Sequence, residues 1–171
     1  GVGAMIFEAI RLMAVVLSLY GDGASDWRTV RPSDAARASL AITVTRGDWP
    51  AELVATIAVR ESSMRWMVNA TSGACGPGQI LVSHDKARQA RFCARLRRRG
   101  EVAWYRAITR KLDAARDVCE RLHRRDVVAC AVAGYVGGMP AVRLGRRRVA
   151  RAILRRADQL HIATLVGSVG A

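Results

Sequence analysis

The chain has 171 residues, and 51% of them are hydrophobic, which excludes a disordered polyelectrolyte and allows one domain with a full core. Lys and Arg number 28 against 14 Asp and Glu, a formal net charge of +14 that suits an anionic partner: nucleic acid, anionic lipid or an acidic cell-wall polymer. Aromatic residues make up only 5%, so the core must be built from Ala, Val, Leu and Ile, and the expected fold class is all-α.

Gly1 to Ala4 read as a cloning remnant before Met5, leaving residues 5–171 as one domain. The apolar run Leu12 to Tyr20 is too short for a bilayer, which takes about 20 apolar residues. The small residues GDGAS after it give the layout of a signal peptide. Glu8 argues instead for a first helix of the domain, with Ile6, Ile10, Met13 and Leu17 on one face. After the turn GDGASDW, Ser33 is placed to cap a helix through Ala35, Leu40 and Val44 to Gly47. Pro50 then suits the first turn of a helix carrying Leu53, Val54, Ile57 and Ala58, and ending near Glu61.

Ser83 is a cap candidate for a segment that ends near Gly100. The next helix has the clearest pattern: Val102, Tyr105, Ile108, Leu112, Ala115, Cys119 and Leu122 step by three and four, while Arg106, Arg110 and Lys111 face elsewhere. Asp126 is placed to cap the apolar helix VVACAVAGYVGG, and RLGRRRVARAILRRADQLHIATLVG makes a last basic helix. No stretch reads as a strand.

Cys75, Cys93, Cys119 and Cys130 form no CxxC pair and lack a histidine at zinc-ligand spacing, so no metal is expected. Three disulfide connectivities are open. On the apolar helix faces of Cys119 and Cys130, a reduced thiol would also pack as a small hydrophobe.

Residues 61–80, ESSMRWMVNATSGACGPGQI, carry the chemistry. Glu61 closes an apolar helix, where the dipole presents partial negative charge and apolar neighbours disfavour ionisation. A carboxyl that keeps its proton near neutral pH is what a general acid in glycoside cleavage needs. The same residues also fit a helix-end glutamate paired with Arg60 or Arg65.

The segment resembles the signature of soluble lytic transglycosylases and goose-type lysozymes. Glu61, Ser62, Ser63 and Met64 match its Glu-Ser-x-hydrophobic start, and Gly73, Ala74, Gly76, Gln79 and Ile80 match its Gly-Ala-x-Gly-Leu-Met-Gln-Ile end. Pro77 and Gly78 stand where the family has Leu-Met. A second echo follows in AGYVGGMPAV, where Ala133, Tyr135, Gly138, Pro140 and Val142 match Ala-Ala-Tyr-Asn-Ala-Gly-Pro-Gly-x-Val, with Val136 in place of Asn.

The resemblance implies a lysozyme-like fold and cleavage between N-acetylmuramic acid and N-acetylglucosamine in peptidoglycan, without a cofactor. Glu61 would be the acid and then the base of a transglycosylase that leaves a 1,6-anhydro product, with Tyr135 beside it and hydrogen-bonded to it. Ser62, Ser63, Gly76, Gln79, Ile80 and Gly138 would meet or shape the substrate. Tyr135 also fits a plain core position. A hydrolase would want a second carboxylate, for which Asp85 is the candidate; it fits equally as an acid at a helix N-terminus.

The expected partners are glycan strands, together with anionic wall or outer-membrane polymers drawn by the runs at Arg95–Arg99 and Arg146–Arg148. No specific nucleic acid is expected, the chain is expected to be a monomer, and its site of action is periplasmic or extracellular. The rival reading, a basic helical nucleic-acid binder, leaves both glycine-rich motifs without a purpose.

Overall fold

The structure is a computed structural model and describes residues 1–22 and 28–166. It is all-α, with seven helices among the described residues: α1 Val2–Tyr20, α2 Pro32–Thr45, α3 Ala51–Ser62, α4 Lys86–Arg98, α5 Glu101–Arg121, α6 Val127–Arg143 and α7 Arg148–Val166. Extended pairing among these residues is limited to isolated bridges of Cys75 with Val68 and Ile80. Most of the expected turn GDGASDW, at 23–27, lies outside the described residues.

Helix α3 occupies the centre. Leu53, Val54, Ala55, Ile57, Ala58 and Val59 are all buried, so the helix is apolar on every side, as a core helix must be. It packs on α1, α2 and α7, while α5 and α6 form a pair that closes against α2 and α7.

Several sequence expectations shift in register. Helix α1 begins at Val2, inside the segment read as a remnant, and buries Ala9, Leu12, Val16 and Tyr20. Ile6 and Ile10 face outward, because α2 and α7 meet the neighbouring stripe. At 19 residues, α1 is long and apolar enough to cross a membrane, contrary to the reading of the shorter run; an N-terminal signal sequence has the same properties. Arg31 rather than Ser33 precedes α2, with Pro32 in its first turn, and Leu40 and Val44 lie exposed because Ala38, Ala41 and Ile42 make the packed face. Val102, near the start of α5, and Leu122, the residue just past its end, are exposed.

The cap of α4 is Asp85, not Ser83. Its carboxylate accepts from the Arg88 N–H at 2.6 Å, and Ser83 Oγ accepts from the Asp85 N–H. Asp126 caps α6 as expected, accepting from the Ala129 N–H. All four cysteines are paired, Cys75 with Cys93 and Cys119 with Cys130, so the reduced-thiol reading of the second pair does not hold. Helices α5 and α6 bring those two faces together across a short turn.

Candidate active site

Helix α3 ends by turning through two left-handed residues, Ser63 and Met64, at φ 57° and 65°. Their N–H groups bond back to the carbonyls of Val59 and Ala58, which closes the helix end without a glycine. This exit leaves Glu61 on the last turn at the wall of a cleft, with its side chain 18% exposed. The opening α4 side of the cleft is formed by residues 69–84, and the opposite side by the middle of α6.

The cleft has a volume of about 890 Å³. Glu61, Gln79, Tyr135 and Gly138 line it, as do Arg28, Arg60, Asn69, Ser72, His84 and Lys111. Among the described lining residues Glu61 is the one carboxylate. Its partner is Arg60, whose guanidinium pairs with the Glu61 carboxylate. The apolar surroundings expected for the carboxyl are therefore replaced by a cation, as in the ion-paired alternative.

Tyr135 is brought to Glu61, but its hydroxyl does not bond there. It donates to the Gly78 carbonyl at 2.7 Å. Burial, and next the negative charge of Glu61, push its phenol well above the ordinary range. The ring is capped on its other side by the Lys111 ammonium, 4.2 Å from the ring centroid, a cation–π contact. Burial lowers the Lys111 amine below its ordinary value, while the Glu61 carboxylate pulls it back up.

The Pro77–Gly78 pair now has a structural reason. Ser62 is wholly buried, and its hydroxyl donates to the Pro77 carbonyl at 2.9 Å, tying the loop to the end of α3. Next to it, Gly78 passes so close to α5 and α6 that a Cβ would lie 2.3 Å from Tyr135 Oη and 2.4 Å from Ile108 Cγ1. No side chain fits there. Two consecutive carbonyls thus fasten the loop to α3 and α6.

Four of the expected substrate contacts lie away from the cleft wall. Ser62, Ser63 and Ile80 are buried beneath the loop, and Gly76 packs under the Trp66 ring, because this loop folds down onto Ile108 and Tyr135. Gln79 and Gly138 do line the cleft. Gln79 takes a left-handed conformation and its amide donates to the Gly76 carbonyl. Gly138, at φ 65° and ψ −165°, breaks α6 ahead of Pro140, whose ring and missing N–H cannot continue the helix. Asp85 caps α4 and does not line the cleft.

Sequence reasoning missed two residues. Lys111 enters the cleft instead of facing outward, beside the Arg60 that the ion-paired alternative named; the one available signal is that the chain has only two lysines, Lys86 and Lys111. Gln89, 2% exposed, organises the loop from below. Its carbonyl accepts from the N–H groups of Val82 and Ser83, and its amide donates to the carbonyls of Gly73 and Ile80. With the Cys75–Cys93 bridge alongside and Trp66 packed on Trp104, this makes a small second core under the loop.

Comparison of the chain with protein-family models, with curated proteins and with solved structures finds no match.

Proposed function

We propose that the protein is a lytic transglycosylase of the lysozyme-like kind, cleaving the β-1,4 bond between N-acetylmuramic acid and N-acetylglucosamine in peptidoglycan. The observation that carries the reading is Glu61: a single partly buried carboxylate among the described residues of a long cleft, on the last turn of the central helix, facing the second motif on α6. Glu61 gives its proton to the glycosidic oxygen as the bond to the muramoyl C1 breaks. The same carboxylate then takes the proton of the muramoyl C6 hydroxyl as that oxygen closes on C1. The product is a 1,6-anhydro sugar, and no water is consumed. Favouring this over hydrolysis is the lack of a second acid among the described lining residues, since hydrolases work with two carboxyl groups.

In this reading Arg60 stabilises the carboxylate within the turnover, after its proton has gone to the glycosidic oxygen and before the C6 hydroxyl returns one. Export fits the two disulfides, which persist in oxidising compartments, and the apolar N-terminal helix. The exposed arginines of the runs 95–99 and 146–148 would draw the enzyme to anionic wall or outer-membrane polymers, an attraction that fades with salt.

The Arg60 pair favours a second reading, a glycan-binding domain of the same ancestry that no longer cleaves, because the guanidinium occupies the carboxylate oxygen that an incoming glycosidic oxygen would have to reach. Purified sacculi separate the two. Wild-type protein is expected to release anhydro-muropeptides by mass, and Glu61→Gln to bind sacculi with release reduced roughly 10²- to 10⁴-fold, the usual contribution of a general acid. Reducing-end products would mean hydrolysis, and binding without products a non-catalytic domain. Full activity in Glu61→Gln would sink the assignment.

A further inference from the structure

A second groove, of about 370 Å³, runs between α4 and α5 and opens beside the cleft, sharing Leu81 and Lys111 as a common wall. Its floor is apolar, from Val82, Phe92, Leu96, Ala103 and Ala107. Its rim is cationic. Arg99 from the end of α4 and Arg106 and Arg110 from α5 stand around it, exposed and without an ion-pair partner among the described residues.

Residues 103, 106, 107 and 110 fall on one helix face, so apolar floor and cation alternate along the groove, with Arg106 and Arg110 about one turn, 5–6 Å, apart. We propose that this groove holds the acidic peptide branch that the glycan carries on its muramoyl sugars, a deepening that rests on the peptidoglycan reading. Such a branch combines small alanine side chains with carboxylates on separate residues. In an extended peptide, carboxylates on alternate residues recur at about 7 Å, close to the spacing of the rim cations. An anionic lipid would instead set its charge at one end of an apolar chain, whereas here the cations are spread along the groove. Because the two share Lys111 and Leu81, the groove lies directly beside the cleft, within reach of a branch on a sugar bound there. The volume lies within the ordinary range for small-ligand pockets.

The test uses the full chain on two substrates: peptide-bearing glycan strands, and the same strands stripped of peptide by an amidase. Wild-type protein is expected to show the lower KM on the branched strands, with the advantage fading as salt rises. Arg106→Ala/Arg110→Ala should raise KM on branched strands roughly tenfold, leave stripped strands untouched, and keep kcat and thermal midpoint. An equal change on both substrates, or none, overturns the proposal. A second arm needs no catalysis: calorimetry of wild type and the double variant with N-acetylmuramoyl-tetrapeptide and with N-acetylmuramic acid. Binding of the peptide form alone, lost in the variant, supports the groove; equal binding of both ligands overturns it. If neither strand is cleaved, the enzymatic reading falls while this arm still decides the groove. Retention on phosphatidylglycerol vesicles that the double variant loses, without peptide binding, assigns the groove to lipid instead.

Discussion

Cys75–Cys93 and Cys119–Cys130 both hold Cα atoms 6.0 Å apart, across 18 and 11 residues, yet they restrain different kinds of structure. The second joins two helices, α5 and α6, that already pack along their length. The first joins α4 to a loop that has almost no regular structure of its own and forms one side of the cleft. By chain entropy the two bridges are worth about the same, about 3 kcal/mol each. Equal stabilisation therefore need not mean equal consequence for function: one bridge is insurance on an existing contact, and the other helps to define a site wall.

The sharpest way to break this comparison is to leave both bridges intact and remove Gln89. Gln89→Ala removes four hydrogen bonds to loop backbone groups, and at about 1 kcal/mol net for each the expected loss is about 4 kcal/mol. Urea unfolding measures the loss, and amide exchange should rise at 73–83 while α5 and α6 stay protected. If stability barely changes, the bridge rather than the glutamine holds the loop.

Replacing each cysteine pair by serine tests the contrast directly. Both variants are expected to lose about 3 kcal/mol, but only the Cys75/Cys93 variant should lose glycan release out of proportion to its folded fraction. Equal activity losses would show that the two bridges act only through global stability.

Gly78→Ala is the next step down, at about 1–3 kcal/mol, because its methyl group meets Tyr135 Oη and Ile108 inside van der Waals distance. Adding Tyr135→Phe should recover part of that loss, and the double-mutant cycle reads the contact.

The smallest effect comes from alkali. Tyr105 and Tyr135 both keep their protons to higher pH when folded, mainly through burial. In the unfolded chain a phenol ionises near pH 10, so above that pH the folded state binds more protons and stability falls as pH rises. Lys111 acts in the opposite direction: between its lowered folded value and the ordinary 10.5, the unfolded state binds more protons and stability rises. The net expectation is a decline above pH 10 that is shallower in Tyr135→Phe, followed by urea midpoints. An unchanged slope would mean that the α6 phenol ionises freely in place.

Much of the helix content was legible in the sequence because three-and-four spacing survives on a single strand of text. Tyr105, Ile108 and Leu112 on α5 and the Asp126 cap of α6 are examples. The facing of α1 and α2 was less legible: both are apolar on more than one side, and only the neighbours choose which stripe packs, which is why Ile6 and Leu40 lie outside. At the site, Glu61 and Tyr135 stood out by motif. Gln89 did not, since a glutamine in a basic helix looks like solvated surface until a loop folds over it. Lys111 was hidden for a related reason: helical periodicity tells outward from inward and cannot tell solvent from cleft.

That lysine has a practical consequence. With only two lysine side chains in the sequence, an amine-directed reagent has few places to go. Lys86 lies exposed at the start of α4, and Lys111 lies in the cleft with a lowered affinity for its proton. Attack requires the unprotonated amine, so mild alkalinity favours the lysine in the cleft over the exposed one. With the α-amine blocked beforehand at lower pH, where it already reacts, a fluorophore or cross-linker carried on such a reagent would mark the cleft without any engineered cysteine, leaving both bridges undisturbed.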